Sequence, residues 1–150
     1  MRPSFLTTAP TSANLALSVE MAMAFGLTFG AWMARHRWYR GHRWCQSAIV
    51  LLNTVLIATY MVPSFVSKVY PRIPEKLDRS FYSLATAHAI LAGGVELAAL
   101  YLVLCAGTDV VPKRLRLANF KTGMRIVLAG WWLVFFLGLA TYARWYVRWS

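Results

Sequence analysis

Four long apolar stretches fill most of this chain, and its charged residues fall almost entirely between them. The stretches run over about 13–34, 44–66, 81–106 and 124–143. Each supplies the roughly 20 apolar residues that an α-helix needs to cross about 30 Å of hydrocarbon. Hydrocarbon offers no hydrogen-bond partner to bare N–H and C=O groups, so such stretches satisfy their own backbone as helices. The sequence therefore predicts an all-α fold, an integral membrane four-helix bundle that takes residues 1–150 as a single transmembrane domain. Short connections between antiparallel neighbours predict up-down-up-down order, with both termini on one side.

Composition narrows the partners. Hydrophobic residues make up 59% of the chain, which leaves no stretch for a separate soluble domain. A net charge of +11 on a soluble protein would point to nucleic acid, but here the charge lies in loops and at helix ends, so the partner it predicts is anionic lipid headgroups and not nucleic acid. Trp32, Trp38, Tyr39, Trp44, Tyr142, Trp145, Tyr146 and Trp149 sit near span ends, as in an aromatic interfacial belt. The connections 35–43 and 107–123, counted with Arg125, hold nine basic residues against one acid. The other side holds seven, including Arg2, Arg144 and Arg148, against two acids. The positive-inside bias thus places 35–43 and 107–123 in the cytoplasm and both termini outside. Arg2 is the sole positive charge before the first stretch and Glu20 interrupts that stretch, so it reads as a retained span, not a cleaved signal. Two cysteines are too few for a disulfide framework.

Ionisable and amide groups inside spans are costly in lipid and are the first candidates for function. They are Glu20, Asn53, Tyr60, His88 and Glu96. At about 1.5 Å of rise per residue, Glu20 and His88 lie roughly 10 Å in from the outer side, with Tyr60 near their level. Asn53 and Glu96 lie deeper, each about 15 Å from the cytoplasmic end of its helix. His88, Ala92 and Glu96 follow i, i+4, i+8 spacing and share a helix face. Two readings stand side by side: a cofactor or metal ligand at His88 with Glu20 or Tyr60 supporting it, or a hydrogen-bonded cluster that sets helix register. Two stacked polar layers would also suit a proton path.

A second group lies at the cytoplasmic edge. His36, His42 and Cys45 flank the start of helix two, and Cys105 ends helix three at a similar level. His and Cys together suit copper, zinc or haem iron. The spacing matches no standard metal motif, and two buried thiols with two interfacial histidines explain the same residues. A bis-histidine haem b is disfavoured, because His42 and His88 are separated by roughly 25 Å of helix rise. A single haem on His88 stays open. No Gly-x-Ser-x-Gly, P-loop or His-Glu-x-x-His segment is present.

Three segments carry a resemblance to a family. His42-Arg43 opens helix two, which continues to Ile57-Ala58-Thr59-Tyr60. Ala87-His88-Ala89-Ile90-Leu91-Ala92 lies on helix three, and Lys113-Arg114-Leu115-Arg116 precedes helix four. Over about residues 25–147 the chain resembles small four-helix bacterial membrane proteins, the CtaM-like family, some members of which are associated with maturation of haem-copper oxidases. The chain departs from the family pattern at Leu115, where a histidine is usual, and at Ile126, where an early tryptophan is usual. The missing histidine weakens a metal site built on that pattern. The resemblance implies a multi-pass protein of the bacterial inner membrane that acts as a non-catalytic accessory or assembly factor for a respiratory haem-copper oxidase. Against this stand two other readings: an electron-transfer protein binding haem b or copper through His88, and a structural subunit of a larger respiratory complex.

Overall fold

The computed structural model describes residues 9–147. Arg2, Arg148 and Trp149 of the sequence reading lie outside the described residues. Four long helices form the bundle. Helix α1 covers Thr11–Arg35. Helix α2 is composite: an α-helical segment Tyr39–Leu56, a π-helical turn Ile57–Met61 and a further α-helical segment Val62–Lys68. Helix α3 covers Ser80–Gly107 and α4 covers Phe120–Tyr146. Each is long and apolar enough to cross a membrane. The chain is a multi-pass membrane protein with four candidate spans.

The spans exceed their predicted limits, and each difference has a local cause. The first connection is only the turn 36–38, closed by Arg37 at φ 63°, so His42 and Arg43 belong to the first turns of α2 and not to a loop. Asn119 caps α4 by accepting the Thr122 N–H at 3.2 Å, which starts that helix four residues before 124. The π turn of α2 falls just ahead of Pro63. A proline in a span has no N–H to give the carbonyl four residues back, and its ring crowds that carbonyl, so the preceding turn loosens. Between α2 and α3 the chain forms short helical turns, Tyr70–Arg72 and Ile73–Lys76, each led by a proline in its first positions.

The bundle is two tight hairpins, α1 with α2 and α3 with α4, joined more sparsely by α2 against α3 and α1 against α4. Bonds across the helices fix the up-down-up-down order. Arg43 Nη2 donates to the Ala106 carbonyl at one end of the bundle, and the Tyr142 hydroxyl bonds Asn14 Oδ1 at the other. The beginning of α1 and the end of α4 share the latter end, called the termini side below. The core cluster is Met23, Ala24, Leu27 and Trp131. Most other large apolar side chains, such as Phe25, Leu97, Ile126 and Phe136, face outward. Of the most apolar part of α4 only 6% is buried inside the protein, which leaves lipid as its natural solvent.

Gly26 and Gly30 make the α1–α2 seam. A Cβ on Gly26 would stand 2.7 Å from Ile49 Cδ1, and one on Gly30 would stand 2.5 Å from Gln46 Nε2. Small residues four apart let the helices approach closely, the role the Gly26-x-x-x-Gly30 spacing allowed. Gly30→Leu should displace Gln46 from its bond to Leu27 and destabilise the hairpin by about 1–3 kcal/mol. Unfolding of the variant in mild detergent or bilayers at the native midpoint would show the seam to be slack.

Candidate functional site

Two side chains of the group at the start of α2, joined by Gln46, are spent on helix pairing. His42 Nδ1 donates to the Gly30 carbonyl at 2.8 Å, Cys45 Sγ to the Gly26 carbonyl at 3.4 Å, and Gln46 Nε2 to the Leu27 carbonyl at 3.0 Å. Spacing of three and four puts all three on the α2 face that meets the glycines. His36 Nδ1 turns back to the Trp32 carbonyl of its own helix at 3.0 Å. Cys105 is buried and, like Cys45, free of any disulfide. Among the described residues no three His, Cys, Asp or Glu side chains are grouped to hold a metal ion. The structure does not bring His42 or Cys45 toward His88. It assigns them to the seam, in bonds that depth along a helix could not reveal.

The intramembrane groups behave differently. Because the hairpins part on the termini side, they leave a cavity of about 310 Å³ lined by all four helices. Its wall is apolar and aromatic, with Lys68, Tyr60, Tyr142, Trp145 and Tyr146 among its polar-tipped members. Glu20 from α1 and His88 from α3 line it too, and both converge on Gly138 of α4. A Cβ at Gly138 would meet His88 Cε1 at 3.0 Å and Glu20 Oε2 at 3.5 Å, so the absent side chain is what lets the two groups meet the α4 backbone.

His88 Nδ1 lies 3.1 Å from the Val134 carbonyl. A carbonyl only accepts, so Nδ1 carries the hydrogen and Nε2 is the lone-pair nitrogen of the neutral ring. Nε2 makes no hydrogen bond among the described residues, and neither does the Glu20 carboxyl. Trp145 Nε1, on a ring stacked against Phe81 with centroids 4.4 Å apart, is buried without a hydrogen-bond partner. Polar groups left unpaired beside a cavity in a membrane protein are costly unless something else satisfies them.

Tyr60 lines the same cavity, between Ile57 and Met61, which share the small cavity beside Glu20 and His88. Its side chain points outward: the hydroxyl reaches Ser12 Oγ at 3.5 Å, and Ser12 precedes Glu20 by two turns of α1, about 12 Å of rise. That leaves Glu20 and His88 as the inner polar pair.

The deeper layer is a closed network. Asn53 Nδ2 donates to Glu96 Oε2 at 2.8 Å, and both residues are buried. Thr54 Oγ1 lies 2.6 Å from Glu96 Oε1 and 2.9 Å from the Val50 carbonyl, and its single hydrogen serves one of them at a time. Turned to Glu96, it completes the shell of a carboxylate. Turned to Val50, it leaves Oγ1 to accept from a neutral acid. Rotation of one hydroxyl accommodates both forms. Sequence reasoning missed Thr54 and Gly138. The signals were present, a hydroxyl next to Asn53 and a glycine inside an apolar helix, but neither says which way it faces.

Fold and site together define a multi-pass membrane bundle with an interhairpin cavity that ends on a carboxyl and an imidazole. No family model, curated protein or solved structure matches the chain.

Proposed function

We propose that this protein is a non-catalytic accessory or assembly factor for a respiratory haem-copper oxidase in a bacterial inner membrane, and that it acts by holding a small ligand in the cavity between its hairpins. The observation that carries the ligand half is the pair of unsatisfied groups, the Glu20 carboxyl and His88 Nε2, beside a cavity of about 310 Å³. That volume lies at the lower end of the roughly 300–1,000 Å³ range of small-molecule sites, and an apolar wall with a few convergent polar groups is their usual build. The oxidase half rests on the resemblance around His42-Arg43, His88 and Lys113–Arg116. In this reading the turn 36–38 and the basic connection before α4 face the cytoplasm. Arg116 there donates to the Val111 and Thr108 carbonyls and pairs with Asp109 at 3.1 Å, so it shapes the loop, while Lys113 and Arg114 remain for lipid headgroups.

Deleting the gene should remove mature oxidase, seen as loss of its haem absorption in membranes. The native chain should restore it and His88→Ala should not. A deletion strain with normal oxidase content and spectrum would refute the oxidase half of the proposal.

One observation favours a second reading, a haem-binding electron-transfer protein. A metal-bound histidine nearly always gives its other ring N–H to a carbonyl or carboxylate, as His88 gives its Nδ1 hydrogen to Val134. When bound, haem would supply one-electron chemistry, and His88 would be the residue that holds its iron. The fit is partial: among the described residues no second histidine and no cysteine lines the cavity beside His88, leaving Met61 and tyrosines such as Tyr60 as the other side chains there of a type that binds haem iron, and a haem macrocycle is larger than the cavity. Copper fits less well, because Glu20 and His88 offer two donors where three or four are usual. A ligand smaller than haem suits the site better.

A further inference from the structure

A second, smaller cavity lies between the two polar layers. It measures about 20 Å³, and its polar lining is Glu20 and His88 on one side and Asn53 and Glu96 on the other. We infer that this cavity holds one water molecule, and that through it Glu96 exchanges protons with the termini side of the membrane. The path to the termini side runs through the larger cavity, and a ligand there would share Glu20 and His88 with this water.

Size and chemistry both point to water. A site needs about 10–15 Å³ of such volume to admit one water, and two to four polar partners to keep it. Here there are four candidate partners, two of them, Glu20 and His88 Nε2, with no bond of their own. The remaining lining is apolar, with Ile57, Met61 and Val95 closing the sides and Trp131, Val134 and Phe135 of α4 closing the back. Among the described residues no lysine or arginine lines it, α2 contributes the uncharged Asn53 as its one polar group, and α4 contributes no titratable group. The ionisable groups that meet there are therefore Glu20, His88 and Glu96 alone.

The transfer balances without any other reactant. The Glu20 carboxyl, or a protonated His88 Nε2, gives one hydrogen to the water oxygen. The water passes a different hydrogen to Glu96, and the Thr54 hydroxyl turns from Glu96 Oε1 to the Val50 carbonyl. One proton moves, one O–H or N–H bond breaks and one O–H bond forms at the ends, and no electron is transferred. On the far side of Glu96 stand the buried apolar residues Val50, Ala99 and Leu102. The path is a half-channel that opens to the termini side and stops at Glu96.

The chain has three glutamates, Glu20, Glu75 and Glu96, so selective carboxyl ¹³C labelling gives three resonances that single Glu→Gln variants assign. Magnetisation transfer from water to these carbons is then measured on the full chain in lipid bilayers. Glu96 should receive water magnetisation although it lies buried at the bundle centre. Ala92→Leu, at a residue that lines both cavities, should abolish transfer to Glu96 while Glu20 keeps it. A dry Glu96 in the native chain overturns the inference whatever the variant does. So does a Glu96 that stays wet in Ala92→Leu.

Discussion

Glu96→Ala is expected to destabilise the bundle by about 2 kcal/mol, and Glu96→Gln by well under 1 kcal/mol. The alanine strands the Asn53 amide between α2 and α3, where the hairpins touch only sparsely, while the Thr54 hydroxyl keeps the Val50 carbonyl. Interhelical hydrogen bonds in membranes are individually worth roughly 0.6 kcal/mol, because unfolded helices also find partners in the bilayer. The larger figure comes from the stranded amide and the void left behind. Glutamine keeps an oxygen for one neighbour and an amide for the other and fills the same volume. Reversible unfolding in bilayers, read by forced separation of the two hairpins, distinguishes the outcomes. Equal stability of the alanine and glutamine variants would mean that the network does not join the hairpins.

The other large effect concerns ligand binding. His88→Ala should weaken retention of the cavity's ligand roughly tenfold or more, the equivalent of one well-placed hydrogen bond lost in a dry site. That variant also frees the Val134 carbonyl, so a second substitution separates binding from packing. Gly93 lines the large cavity, and a Cβ there would meet nothing within 4 Å. Gly93→Leu should therefore occupy ligand space without clashing, while the helix gains up to about 1 kcal/mol from the loss of a mid-helix glycine. Reduced binding with unchanged or raised thermal stability is the expected signature. Binding that survives both substitutions would place the ligand elsewhere.

The spans were legible because lipid imposes so few solutions on a long apolar stretch. Depth was legible too: rise along a helix placed Glu20 with His88, and Asn53 with Glu96, before any packing was known. Direction around a helix was not. His42 and Cys45 looked like metal donors because their residue types suit metals, yet their lone partners are carbonyls exposed by Gly26 and Gly30 on the neighbouring helix. Tyr60 was placed by its backbone, and the direction of its side chain, which takes the hydroxyl to Ser12, was not legible. Pro63 carried the warning of the π turn that precedes it. The cavity itself had no sequence signal. It arises from the parting of two hairpins, a property of contacts between helices far apart in sequence.

Native mass spectrometry of the chain, purified in mild detergent from the membranes that make it, tests the ligand-holding function most directly. One bound molecule per chain beyond the surrounding lipids, present in the native protein and missing from both His88→Ala and Gly93→Leu, is the predicted result. A native protein that carries only the same lipids as the two variants would contradict it.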